Sequence, residues 1–165
     1  MTGPESAGAT PRWPVPEPMR AALQAAQDAA LAGEVPVGAA VVRQGAIIAL
    51  AANATRSPPD PTGHAEIRAL RMAAEALGEE RLTGCDLYVT LEPCAMCAGA
   101  IAHARIARLY YAASDPKGGA VEHGARVFEQ AQCLHRPEVY AGMGEAEAAE
   151  LLREFFRERR QAPRP

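Results

Sequence analysis

Apolar residues change their spacing along this chain, and those changes divide it into elements. In an Ala-rich run over residues 19–32, Leu23, Ala26, Ala30 and Leu31 recur at helical spacing, and Gly33 stands where a helix would stop. Two short apolar runs follow, residues 37–42 and 46–51, separated by Arg43-Gln44-Gly45. Gly45 can take the positive φ of a tight turn, so the pair reads as two antiparallel strands. Neither run alternates with polar residues, which predicts a sheet covered on both faces. Residues 57–63 form a loop by their Pro and Gly content, and then the period turns helical again. Ile67, Leu70, Ala74 and Leu77 share one face, with Gly78 to end the segment. Residues 87–91 read as a third strand running into Glu92-Pro93-Cys94, where a third helix over 94–103 begins, proline being tolerated in a first turn. Residues 108–112 form a fourth strand, 114–119 a loop and 139–141 a short fifth strand. The terminal helix over 145–160 carries Ala148, Leu151, Leu152, Phe155 and Phe156 on one side and Arg153, Arg157 and Arg160 on the other.

One helix, two strands and then strands alternating with helices predict an α/β sandwich whose later strands are joined by helical crossovers. The 165 residues, 48% hydrophobic, suit one domain with its own core, expected over residues 19–161. Residues 1–18 hold five prolines among small and polar residues and are expected to be a flexible tail, with a second short tail at 162–165. No run approaches the roughly 20 apolar residues that span a bilayer, and no charged start precedes an apolar leader. A soluble, cytoplasmic protein without a membrane partner is expected. The formal charge of −3 gives no general nucleic-acid coat, although a local basic patch remains compatible with it.

Chemistry concentrates in two short runs, His64-Ala65-Glu66 and Pro93-Cys94-Ala95-Met96-Cys97. One imidazole and two thiols can close three corners of a tetrahedral zinc site and leave the fourth for water, the arrangement of catalytic zinc. Glu66 then remains as a free carboxylate to move protons. Cys94 and Cys97, three apart on a helix, can meet one ion in a first turn that favours thiolate. His64 and Glu66, two apart, cannot share a helix face, so the site must lie beyond the helix end, where open α/β sheets bind ligands. A C-x-x-C alone is also a redox pair or half of a structural zinc site. Cys85 and Cys133, the remaining cysteines, are expected to be buried, inert thiols, and His103, His123 and His135 lack partners at ligand spacing.

An H-x-E run followed by P-C-x-x-C is the mark of zinc-dependent nucleobase deaminases. With Glu34-Val35-Pro36-Val37-Gly38, Asp60-Pro61-Thr62-Gly63-His64-Ala65-Glu66, the block 87–100, Asp115-Pro116-Lys117-Gly118-Gly119 and Phe155-Phe156-Arg157, the chain resembles the bacterial tRNA-specific adenosine deaminases. The resemblance implies a three-layer α/β/α sandwich of the cytidine deaminase-like type, with a mixed sheet of about five strands. It implies one zinc ion on His64, Cys94 and Cys97, and Glu66 as proton shuttle for a zinc-bound hydroxide. Asn53, the Ala65 N–H and Asp115 are implied as substrate contacts, the first two at the target base and the third near the preceding nucleotide. It further implies a homodimer that binds a tRNA anticodon stem-loop and converts the wobble adenosine to inosine.

Gly63 stands where the family usually has Ala, an exchange expected to cost little, and residues 120–143 do not look like family blocks. Along the terminal helix, Glu150 with Arg153 and Glu154 with Arg157 are spaced to pair, which competes with a phosphate-binding role for those arginines. A deaminase of free guanine or cytosine would share the zinc chemistry and differ in having a closed pocket. An inactive, zinc-stabilised RNA-binding subunit would have no use for Glu66.

Overall fold

The structure is a computed structural model and describes residues 14–163, so most of the expected Pro-rich tail and the last two residues lie outside it. Helix α1 spans Glu17–Leu31, two residues earlier than the sequence pattern suggested, because Pro16 caps it and Pro18 sits in its first turn, where no hydrogen-bonded N–H is needed. Its buried face is Met19, Ala22, Leu23, Ala26 and Ala29. Leu31, expected on that face, is 89% exposed. Strands β1 (Gly38–Arg43) and β2 (Ala46–Ala52) form the expected hairpin, with positive φ at both Gln44 and Gly45, a turn whose twist matches that of its strands. Helix α2 (Ala65–Leu77), strand β3 (Cys85–Leu91), helix α3 (Ala95–His103), strand β4 (Arg108–Ala113), strand β5 (Glu138–Ala141) and helix α4 (Glu145–Gln161) follow. One element escaped the sequence reading, a 3-10 turn at Val127–Glu129.

The five strands form one mixed sheet in the order β2-β1-β3-β4-β5. β1 runs antiparallel to both β2 and β3, while β3, β4 and β5 are parallel and joined by crossovers. Side chains alternate across the sheet and define two cores. Leu87, Val89, Leu109 and Tyr111 pack with Ala69, Ala73, Ala98 and Ile101 of α2 and α3. Tyr88, Tyr110 and Ala112 face the other way, toward Met19, Leu23 and Ala148 of α1 and α4. The three-layer α/β/α sandwich is therefore present. Cover on both faces holds for β1, but β2 is an edge strand and leaves Leu50 40% exposed.

Close approach of α1 to the sheet depends on one glycine. A Cβ on Gly38 would stand 1.9 Å from the Ala22 carbonyl oxygen, so any side chain there would hold the helix away. The Gly38 N–H donates to Thr90 Oγ1 at 3.1 Å, tying the start of β1 to β3. In α4, Ala148 and Phe155 are buried, whereas Phe156 is 46% exposed, so the apolar face is narrower than its sequence suggested. Arg153 pairs with Glu150 at 2.6 Å. The second expected pair, Glu154 with Arg157, is absent among the described residues, and α4 is held instead by Arg159, which donates to the Gly33 carbonyl and lies over the Phe155 ring.

Candidate metal centre and active site

Both chemical runs lie where a strand or loop hands over to a helix. His64 is the residue before α2 and Cys94 the residue before α3, each with extended backbone (φ −70°, ψ 149° and φ −72°, ψ 176°), so their side chains leave ahead of the first turn. Cys97 lies inside the first turn of α3 and Glu66 inside that of α2. The expected pairing of two cysteines along one helix face is thus corrected: Cys94 stands off the helix, and it is a capping residue and a first-turn residue that meet. That same offset lets His64 and Glu66 serve one pocket although they are only two residues apart.

The three donor atoms of His64, Cys94 and Cys97 lie within 4.8 Å of one another. His64 Nδ1 is 3.6 Å from Cys94 Sγ and 3.4 Å from Cys97 Sγ. Hydrogen bonding by Cys97 and by His64 pulls the Cys94 thiol down to about 4, outweighing burial. The same hydrogen bond with Cys94 pushes the Cys97 thiol up, with burial and Glu66 adding to the effect. The same Cys94 sulfur raises the His64 imidazole against the opposing effect of burial. An imidazole and two thiols at this separation suit a soft-to-borderline divalent ion such as zinc, and binding it releases the Cys97 proton. Glu66 is buried, and burial raises its carboxyl above the usual range, which suits a group that must both take and give a proton.

Of the remaining sequence-derived residues, Asn53 and Asp115 lie on two loops and Ala65 opens α2. Asn53 directly follows β2 and is half-buried, with its N–H on the Val37 carbonyl at 3.0 Å. Its neighbour Ala54 donates to the Gly63 carbonyl at 2.8 Å, a backbone link that brings the residue after Asn53 to the residue before His64. A Cβ on Gly63 would meet the Ala54 oxygen at 2.2 Å, so the exchange with Ala is not the small one expected: a side chain there requires the main chain at 54 to move. Ala65 is fully buried at the start of α2. Asp115 is half-buried in the loop after β4, where its Oδ1 accepts the N–H groups of Lys117 and Gly118 at 3.2 and 3.0 Å and closes a turn. Of the other cysteines, Cys85 is buried as expected, but Cys133 is only half-buried and donates to the His135 carbonyl at 3.1 Å.

Two buried carboxylates near the site had gone without a role in the sequence reading. Glu34 accepts the N–H groups of Thr55 and Arg56 at 3.1 and 3.0 Å and the Thr55 hydroxyl at 3.3 Å, anchoring the loop that joins Asn53 to His64. Burial pushes its carboxyl up, but these donors together hold it below the usual carboxylate range. Glu92 does the same for the loop of Asp115, and its N–H donors outweigh burial in the same way. Arg68 of α2 donates to the Ala52 carbonyl, fixing the end of β2 just before Asn53. The available signal was an acidic residue set among apolar and Pro residues at each strand boundary.

His64 and Cys94 keep partial access to solvent, whereas Cys97 is enclosed. A surface cavity of about 410 Å³ lies elsewhere, lined by His103, Val127, Gln130, Cys133, Leu134 and His135 among others, and contains none of the three donors.

A family model described as MafB19-like deaminase matches residues 16–160. The tRNA-specific adenosine deaminase of Agrobacterium fabrum is 60% identical over 142 residues, covering 86% of this chain and 93% of that protein. The chain belongs to the tRNA-specific adenosine deaminase family. A solved structure from work on A-to-I editing by tRNA:A34 deaminases at the wobble position superposes with a TM-score of 0.81 at 58% identity, covering 82% of this chain and 98% of that one. The guanine deaminase of Nitrosomonas europaea superposes with a TM-score of 0.70 at 25% identity, covering 89% and 88%. The family scaffold is thus shared with a guanine deaminase, and the chain is far more similar to the tRNA-specific branch.

Proposed function

We propose that this protein deaminates adenosine to inosine at the wobble position of tRNA, hydrolytically and with one zinc ion held by His64, Cys94 and Cys97. The observation that carries the chemistry is the meeting of these three donors at two helix starts with buried Glu66 beside them. The similarity to the Agrobacterium fabrum protein carries the substrate. Zinc, when bound, supplies a Lewis acid that acidifies water at neutral pH. Glu66 takes a proton from the attacking water and passes it to the purine ring nitrogen next to the carbon under attack; it then takes the remaining proton of the added hydroxyl and delivers it to the departing amine. Water adds, ammonia leaves, and a carbonyl replaces the exocyclic amine. Asn53 offers both a donor and an acceptor to the purine edge, the Ala65 N–H meets the base, and Asp115 contacts the preceding nucleotide. An anticodon loop already splays its bases, so bringing one to the site requires little unstacking.

The same proposal includes a domain of residues 19–161, a homodimer, and work in the cytoplasm. Exposed Met72, Met96 and Leu134 give apolar surface for a second copy, and no helix among the described residues is long and apolar enough to cross a membrane. The test is incubation of the zinc-loaded protein with an A34-containing tRNA, with guanine and with cytosine. Inosine in the tRNA is the expected product. Xanthine or uracil without inosine would overturn the substrate assignment.

A further inference from the structure

The chemistry assigned above does not use the buried carboxylate that anchors the loop of Asp115. Glu92 follows β3, its side chain has no exposed surface, and its one side-chain partner among the described residues is His123. A buried charge is costly unless hydrogen bonds satisfy it, and here they come from a single loop. Oε1 accepts the Asp115 N–H at 3.1 Å and lies 2.7 Å from His123 Nδ1. Oε2 accepts the N–H groups of Val121, Glu122 and His123 at 3.2, 3.1 and 3.1 Å. The chain closes so tightly around the carboxylate that a Cβ on Gly119 would stand 2.5 Å from Glu92 Cδ and 2.6 Å from Oε2. A further link joins the Ala120 N–H to the Pro93 carbonyl at 2.9 Å. The short segment that supplies both thiols therefore also sets the position of the loop that carries Asp115.

We propose that Glu92 is a positioning residue that fixes the 115–123 loop as one wall of the substrate site, holding Asp115 and His123 at a set offset from the metal donors. The proposal rests on the functional reading above, in which Asp115 lies against the RNA. A loop ordered before binding costs nothing to order during it, so the effect of Glu92 falls on substrate binding and not on the chemical step.

The test uses the full-length, zinc-loaded Glu92→Gln variant and an anticodon stem-loop RNA with adenosine at the wobble position. KM is expected to rise by about 10-fold or more with kcat within about threefold of the parent. Zinc per chain should be unchanged, and amide exchange over residues 115–123 should quicken by about 10-fold or more. A protein that was merely destabilised would lose active fraction, lowering kcat and leaving KM alone. Unchanged KM in a variant of an RNA-active parent, or unchanged exchange in the loop, overturns the positioning role. His123→Ala removes one of the five bonds and should raise KM in the same direction by less; it carries the test if Glu92→Gln does not fold. A parent that deaminates guanine and not RNA would defeat the functional reading instead, and the exchange measurement alone would then decide whether Glu92 holds the loop.

Discussion

Replacing Gly38 with alanine tests the closest packing in the scaffold that carries the site. The added methyl would lie 1.9 Å from the Ala22 carbonyl oxygen, 2.8 Å from its carbon and 3.0 Å from the Ala26 nitrogen. Carbon and oxygen settle at roughly 3.3–3.6 Å, so the overlap exceeds about 1 Å. All three opposing atoms are main chain in the middle of α1, and none can rotate away. The helix must lift, and Met19, Ala22, Leu23 and Ala26, each no more than 2% exposed, lose contact with the sheet together. A gap of about 1 Å forfeits a quarter to a half of the dispersion attraction across it, and overpacking typically costs about 1–3 kcal/mol. Backbone meeting backbone puts this site at the upper end, about 3 kcal/mol. At about 2–4 °C per kcal/mol for a chain of this size, Tm should fall by about 6–12 °C. Thermal unfolding of the zinc-loaded protein measures it, with Gly99→Ala as control. Gly99 lies within α3, and nothing stands within 4 Å of a Cβ added there, so alanine should leave stability unchanged or raise it by up to about 1 kcal/mol. A Gly38→Ala protein melting within about 2 °C of the parent would show that α1 does not rest on β1 as described.

Glu66→Gln should retain zinc and lose about 100-fold or more in kcat, whereas His64→Ala should lose both metal and turnover; metal analysis beside inosine formation separates the two, and an active Glu66→Gln protein would refute the proton-shuttle role. Glu34 gives a pH test. Its carboxyl is held below its ordinary value of 4.5 in the folded protein, so its stabilisation is fully present above about pH 4.5 and is lost as pH falls through the folded value. Glu34→Gln should cost about 1–3 kcal/mol at pH 7, and the gap between variant and parent in urea midpoints should narrow below about pH 4.5. A gap that stays constant down to pH 3 would contradict the anchoring of Thr55 and Arg56 by a carboxylate.

Spacing made the candidate metal cluster legible because ligand chemistry restricts both residue type and separation: His64, Cys94 and Cys97 stand out in the sequence and lie together in the fold. Hydrophobic periodicity placed the helices and strands to within a few residues, since burial on one face is what makes those segments regular. Three kinds of feature stayed out of reach. Edge position depends on strand order, so the pattern of residues 46–51 could not reveal that β2 lies at the rim of the sheet. Pairing between exposed charges depends on rotamers, so Arg153 found Glu150 while Arg157 did not pair with Glu154. The roles of Glu34 and Glu92 were also hidden, because a carboxylate bound by main-chain groups has no complementary side chain to betray it.

Recognition through main-chain groups changes how residues 120–123, unlike the family blocks in sequence, are to be read. The groups that Glu92 reads there, one imidazole apart, are amide hydrogens, and every amino acid except proline carries one. The loop can therefore drift in spelling while keeping its place, as a hinge pin holds a door whatever its paint. Likeness of letters is then a poor guide to likeness of shape in this stretch. The constraint that does persist is subtractive: no proline at 121, 122 or 123, and no side chain at 119.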